Sequence, residues 1–139
     1  MKYGTSEQPW IQIETFGFDH GVPSTVTGGA LLIDLRNAPL QDPADEPALA
    51  DRDGKDEDVV GHVMESPRTF TLLSRTANQA QALLNHNAQS NLIVRVLVGD
   101  AEGRTRAVVV GDALAEILTV RGIHTSVEHR GLTPPAAQK

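Results

Sequence analysis

The stretch richest in usable chemistry is Val98-Gly99-Asp100-Ala101-Glu102-Gly103-Arg104-Thr105-Arg106. A β-branched apolar run ends there, a loop bounded by Gly99 and Gly103 turns, and a helical pattern begins. A helix that starts after such a loop turns backbone N–H groups and partial positive charge towards an anion. Arg104 and Arg106 can add charge-assisted hydrogen bonds, which suits a phosphate. The spelling Gly-x3-Gly-Arg-Thr is one residue short of a P-loop and carries Arg where that motif has Lys. Asp100 and Glu102 put two negative charges into the loop, so they must point elsewhere or meet hydroxyls and amines of the same ligand. The same residues also fit a plain βα turn whose helix has arginines in its first turn.

A second pair is Ile33-Asp34-Leu35-Arg36, an acid and a base at the end of another apolar run. Ligands of open α/β sheets bind outside such strand ends. At i and i+2 the two side chains point the same way and can grip a hydroxyl and an anion, or close on one another as a surface ion pair. Among the histidines, His129 follows the last strand at the same sheet end as Asp34 and completes the ligand set. With no His-x3-His pair and no cysteine, neither a metal site nor a cofactor is expected. Nucleophile motifs are equally absent: there is no Gly-x-Ser-x-Gly, and His129 is the one base near the site. A binding protein, not an enzyme, is the expectation.

The elements that must hold these residues follow from periodicity. Residues 11–16 alternate as a strand, 30–35 suit a strand buried on both faces, 92–98 fit a central strand and 123–128 a last one. Residues 55–65 predict a short helix stopped before Pro67. Residues 68–87 predict a longer one with Leu73, Ala77, Ala80 and Leu84 on one stripe. Residues 103–121 predict a third, with Ala107, Val110, Leu114, Ile117 and Leu118 on one side, Arg121 at the negative end and Gly122 as the stop. The order β-β-α-α-β-α-β with long connections predicts an α/β, three-layer Rossmann-like fold, a mostly parallel sheet of about four strands with helices on its faces. One domain spans 11–132, flanked by a flexible N-terminus (1–10) and a flexible tail (133–139). A small sheet exposes two edges, and placing Trp10 and Ile11-Gln-Ile at one of them predicts a homo-oligomer with Trp10 near its interface.

Composition bounds the partners. At 40% hydrophobic, 22% charged and 4% aromatic, the 139 residues describe a soluble globular protein with a core of Val, Leu, Ile and Ala. No apolar run approaches the ~20 residues of a membrane span, and residues 1–10 lack the apolar segment of a signal peptide, so cytoplasm is the expected compartment. The formal charge of −6 is equalled by residues 39–58 alone, which hold eight acids against Arg52 and Lys55. That segment, with three prolines, reads as an extended acidic surface loop, solvated or facing a protein partner. The balanced remainder disfavours nucleic-acid binding through the backbone, which depends on clustered Lys and Arg.

Five segments carry a likeness in one order. Thr15-Phe16-Gly17-Phe18-Asp19-His20-Gly21-Val22-Pro23 follows S-F-G-F-K-x-G-x-P, and Ile33-Asp34-Leu35-Arg36-Asn37-Ala38-Pro39 keeps the Asp, Arg and first Pro of F-D-V-R-x-L-P-N-P. Asp53-Gly54-Lys55-Asp56 is similar to a T-G-x-D step, and His129-Arg130-Gly131-Leu132 matches H-R-x-L. Of the loop G-C-T-G-G-x-H-R-S, Gly99, Gly103 and Arg106 are kept, while Asp100, Ala101, Glu102, Thr105 and Ala107 depart. Over residues 11–132 the chain thus resembles the C-terminal domain of the RapZ family, the RNase adapter proteins. The resemblance implies a phosphosugar sensor: the family's domain binds glucosamine-6-phosphate through the D-V-R strand end and the C-T-G-G-x-H-R loop, and carries RNA-binding and oligomerisation surfaces. The family's N-terminal P-loop domain and its basic RNA-binding tail have no counterpart in these residues, so a divergent stand-alone domain is expected. The ligand expected is a phosphorylated metabolite, an amino sugar phosphate or a nucleotide, at Asp34, Arg36, Gly99, Asp100, Glu102, Gly103, Arg104, Thr105, Arg106 and His129. The alternative is an RNA-associated or protein-partner adapter with a vestigial pocket.

Overall fold

Alternation in Ile11-Gln-Ile-Glu-Thr turns Ile11, Ile13 and Thr15 to one side of the first strand, and the fold is built on that side. The computed structural model describes residues 10–24, 30–37, 40–87 and 93–132. It contains strands β1 (Ile11–Gly17), β2 (Ala30–Asp34), β3 (Val94–Asp100) and β4 (Thr125–His129), and helices α1 (Glu57–Met64), α2 (Thr69–Asn87) and α3 (Arg106–Val120). The four strands form one parallel sheet in the order β2-β3-β1-β4. The register sets Ile13 beside Val96 and Val127, and Thr15 beside Val98 and His129. Ile11, Ile13, Val94, Val96 and Val98 pack with Leu73, Ala77, Ala80 and Leu84 of α2 and with Ala107, Val110, Leu114 and Leu118 of α3. The apolar stripes legible in both helices are the ones that face the sheet. A satellite cluster of Leu49, Val59, Val63 and Val109 seats α1 and the acidic segment on α3. No helix of the described residues is long and apolar enough to cross a membrane.

The α/β parallel arrangement is the one expected, with the layering refined. The three α-helices contact one another and share one face of the sheet. The crossovers β2→β3 and β3→β4 step across the sheet in the same direction, and right-handed crossovers then fall on the same side. The opposite face is mixed: Leu97 and Phe16 are buried there, and Glu14 joins Arg95 at 2.9 Å and Arg130 at 3.0 Å across β3, β1 and the chain beyond β4.

Four expectations are corrected. β2 is not buried on both faces; it is an edge strand with β3 as its partner, and Leu32 is 54% exposed. β1 is an inner strand, so Trp10 does not lie at a sheet edge: its N–H donates to the His124 carbonyl at 2.9 Å and its carbonyl accepts from Val94 at 3.0 Å. An alternating strand with two large aliphatic residues buries most by pairing on both sides. α3 begins at Arg106, not at Gly103, because Gly103 has φ +77, a left-handed conformation that a helix cannot include. The acidic segment is not an extended loop. It folds through a 3-10 turn at Pro43–Asp45, buries Leu40 and Leu49, and donates the Gly54 N–H to the Arg104 carbonyl at 2.7 Å. The ends expected to be flexible, residues 1–9 and 133–139, lie outside the described residues.

Candidate functional site

A cavity of about 390 Å³ opens at the C-terminal end of the sheet, where β3 hands over to α3. Three stretches of chain wall it: Asp19 after β1; Asp42 and Ala50–Arg52 from the acidic segment; and Asp100–Glu102 with Arg104–Arg106. Three guanidinium groups thus share the cavity with five carboxylates. They are not equally available. Arg106 is 7% exposed and reaches Asp42 Oδ2 with Nη2 at 3.3 Å, while its Nε is buried with no hydrogen-bond partner among the described residues. Arg52 is paired outwards, with Asp58 at 2.9 Å and Asp56 at 3.3 Å. Arg104 and Glu102 are exposed, and Thr105 occupies the N-cap position of α3 without a side-chain capping bond.

Asp100 organises the loop from inside. It is 2% exposed; Oδ1 accepts from the Gly103 N–H, and Oδ2 accepts from the Ala107 N–H at 2.9 Å. A carboxylate of the chain itself therefore takes two of the N–H groups that the βα loop was expected to offer an external anion. Gly103 turns there with positive φ, and a Cβ on it would collide with the Gly17 backbone. Gly99 is roofed by the Phe16 and Phe18 rings, each 2.6 Å from where a Cβ would stand.

Asp34 and Arg36 lie beside the cavity, not in its wall. They close on one another, Nε to Oδ1 at 3.0 Å and Nη2 to Oδ2 at 2.8 Å, with the Arg36 N–H also on Oδ1 at 2.9 Å. The Arg36 side chain and N–H hold the Asp34 carboxyl below its ordinary range, and the hydrogen-bonded carboxylate raises Arg36 in turn. The guanidinium also covers the Phe18 ring at 3.6 Å from its centroid.

His129 is placed elsewhere, on the helix side of the sheet. Its Nδ1 meets Thr15 Oγ1 at 2.7 Å, its Nε2 meets Asp112 Oδ1 at 2.8 Å, and Asp112 Oδ2 meets Lys55 Nζ at 2.8 Å. The Thr15 hydroxyl in this Thr–His–Asp chain is fully buried, so it offers no nucleophile to solvent. Sequence reasoning missed Thr15 and Asp112, because their meeting depends on the register that sets Thr15 beside His129. It also missed Asp19, Asp42, Asp51 and Arg52 as cavity walls; the acidity of residues 39–58 was a signal for the last three, and nothing local marked Asp19.

A family model described as the RapZ C-terminal domain matches residues 9–133, which takes in all four strands and the whole cavity wall. A nucleotide-binding protein of Clostridium perfringens is 31% identical over 123 residues, covering 88% of this chain and 40% of the relative. One from Nitratidesulfovibrio vulgaris is 34% identical over 121 residues, covering 86% and 40%. Another, from Streptomyces coelicolor, is 30% identical over 134 residues, covering 94% and 43%. The chain spans about two fifths of the length of these relatives.

Proposed function

Because the chain belongs to the RapZ C-terminal domain family, we propose that it is a non-enzymatic binding domain for a small phosphorylated metabolite, an amino sugar phosphate or a nucleotide. The observation that carries the reading is Arg106, a nearly buried guanidinium at the floor of a cavity of about 390 Å³. That volume falls within the range of roughly 300–1,000 Å³ usual for small-molecule sites. Guanidinium groups match the paired oxygens of a phosphate. In this reading Arg106 and the exposed Arg104 take the anionic group, and Glu102 and Asp19 meet hydroxyls or amines on the rest of the ligand. The relatives' name puts nucleotides first among the ligands to test. Binding without turnover is supported by His129, whose two ring nitrogens are both engaged away from the cavity.

Thermal-shift measurement against ATP, GTP and a panel of sugar phosphates tests this. The melting temperature should rise with at least one of them, and Arg106→Gln should abolish the rise. If no compound moves the wild-type protein, the reading fails.

A further inference from the structure

Asp42 holds the position that a ligand's anionic group would take, and we propose that it is an intramolecular competitor which a phosphorylated ligand must displace. The inference rests on the binding role proposed above and adds its regulation.

A guanidinium as buried as Arg106, whose side chain is 8% exposed, must be compensated by an opposite charge. Asp42 supplies that charge incompletely. Its Oδ2 stands 3.3 Å from Nη2, beyond the roughly 2.7–2.9 Å of a strong charge-assisted bond, and Nε has no partner among the described residues. One carboxylate oxygen thus does the work for which an arginine offers a two-pronged fork. A phosphate at the same point can present oxygens to Nη2 and Nε together. The competitor also has somewhere to go. The Asp42 side chain is 32% exposed, next to the 3-10 turn of Pro43–Asp45, and it borders a shallow depression with Gln41, Asp45, Glu46 and His62 as well as the main cavity. Rotation into that depression keeps the carboxylate hydrated while Arg106 is released. Because Asp42 belongs to the acidic segment, ligand entry is coupled to movement of residues 40–46, and the ligand-free chain keeps its buried cation neutralised.

Titration calorimetry of the full chain with ATP and with inorganic pyrophosphate, on wild type, Asp42→Asn, Asp51→Asn and Arg106→Gln, is the test. Asp51 lines the cavity without pairing to Arg106 in any bond described above, so its variant measures the general effect of removing one negative charge. Asp42→Asn should bind about tenfold tighter than wild type and Asp51→Asn at most about threefold tighter, while Arg106→Gln should not bind. In wild type, ATP should speed amide exchange across residues 40–46, a measurement that needs no variant to fold. Equal effects of Asp42→Asn and Asp51→Asn, or slower exchange at 40–46 with ligand, overturn the competitor role while the site itself stands. If neither probe binds wild type or any variant, the site reading falls and takes this one with it.

Discussion

At the scale of single residues, two arginines that look alike in sequence have opposite situations. Arg106 is buried and only partly compensated, whereas Arg36 is exposed and closed on Asp34 by two side-chain hydrogen bonds. The i, i+2 spacing made that pairing legible as one of two outcomes; the burial of Arg106 was not legible, because it depends on the acidic segment folding across it. The Asp34 pair has a consequence for acid stability. A carboxyl whose native pKa lies below its unfolded value contributes stability that is present above the unfolded value, and the contribution is lost as pH falls through the native one. The melting temperature should therefore drop as pH falls below the ordinary aspartate value of 3.8. Asp34→Asn should be slightly less stable at neutral pH and lose less on acidification. The difference should be small, since both groups are exposed. Parallel melting curves against pH for the two proteins would show the ion pair to be idle.

Among the elements, the β3–α3 turn is the best-specified part of the molecule. Gly99 and Gly103 mark its ends in the sequence, and both are required for reasons that the fold makes concrete. Gly103 has φ +77 and approaches the Gly17 backbone so closely that no Cβ fits. Gly103→Ala should cost about 3 kcal/mol or more, combining left-handed strain with a backbone collision. Urea denaturation measures it; a loss below about 1 kcal/mol, the cost of the conformation alone, would mean that the turn relaxes freely. The role of Asp100 in this turn was not legible. An acid at the end of a strand reads as a ligand contact or as a cap with equal ease, and only the path of the loop brings its oxygens to the Gly103 and Ala107 N–H groups. The Thr15–His129–Asp112–Lys55 chain belongs to the same class, since it joins two strands, a helix and the approach to α1.

For the whole molecule, strand order decides what the surface offers. With β1 inside the sheet, the edges are β2 and β4, and any pairing of copies through the sheet must use those. Trp10 is half-buried against the main core and hydrogen-bonded through its backbone to His124 and Val94. Trp10→Ala should therefore leave the mass measured by light scattering unchanged and lower stability by about 2 kcal/mol through lost apolar burial. A lower mass for the variant would return Trp10 to an interface.

What the sequence determined by itself was the existence of the four strands and three α-helices, the parallel α/β class and the loop at the head of α3. Those follow from local alternation, 3.6-residue stripes and glycine punctuation, which act within a few residues of chain. The tertiary structure alone decided which strand is central, that the helices share one face, and which charges meet. Strand order depends on crossover direction, and the pairs Arg106–Asp42, His129–Asp112 and Arg130–Glu14 join residues 64, 17 and 116 positions apart. No local pattern encodes such a meeting, because the free energy that selects it is the burial of the whole sheet face, shared among all of its residues.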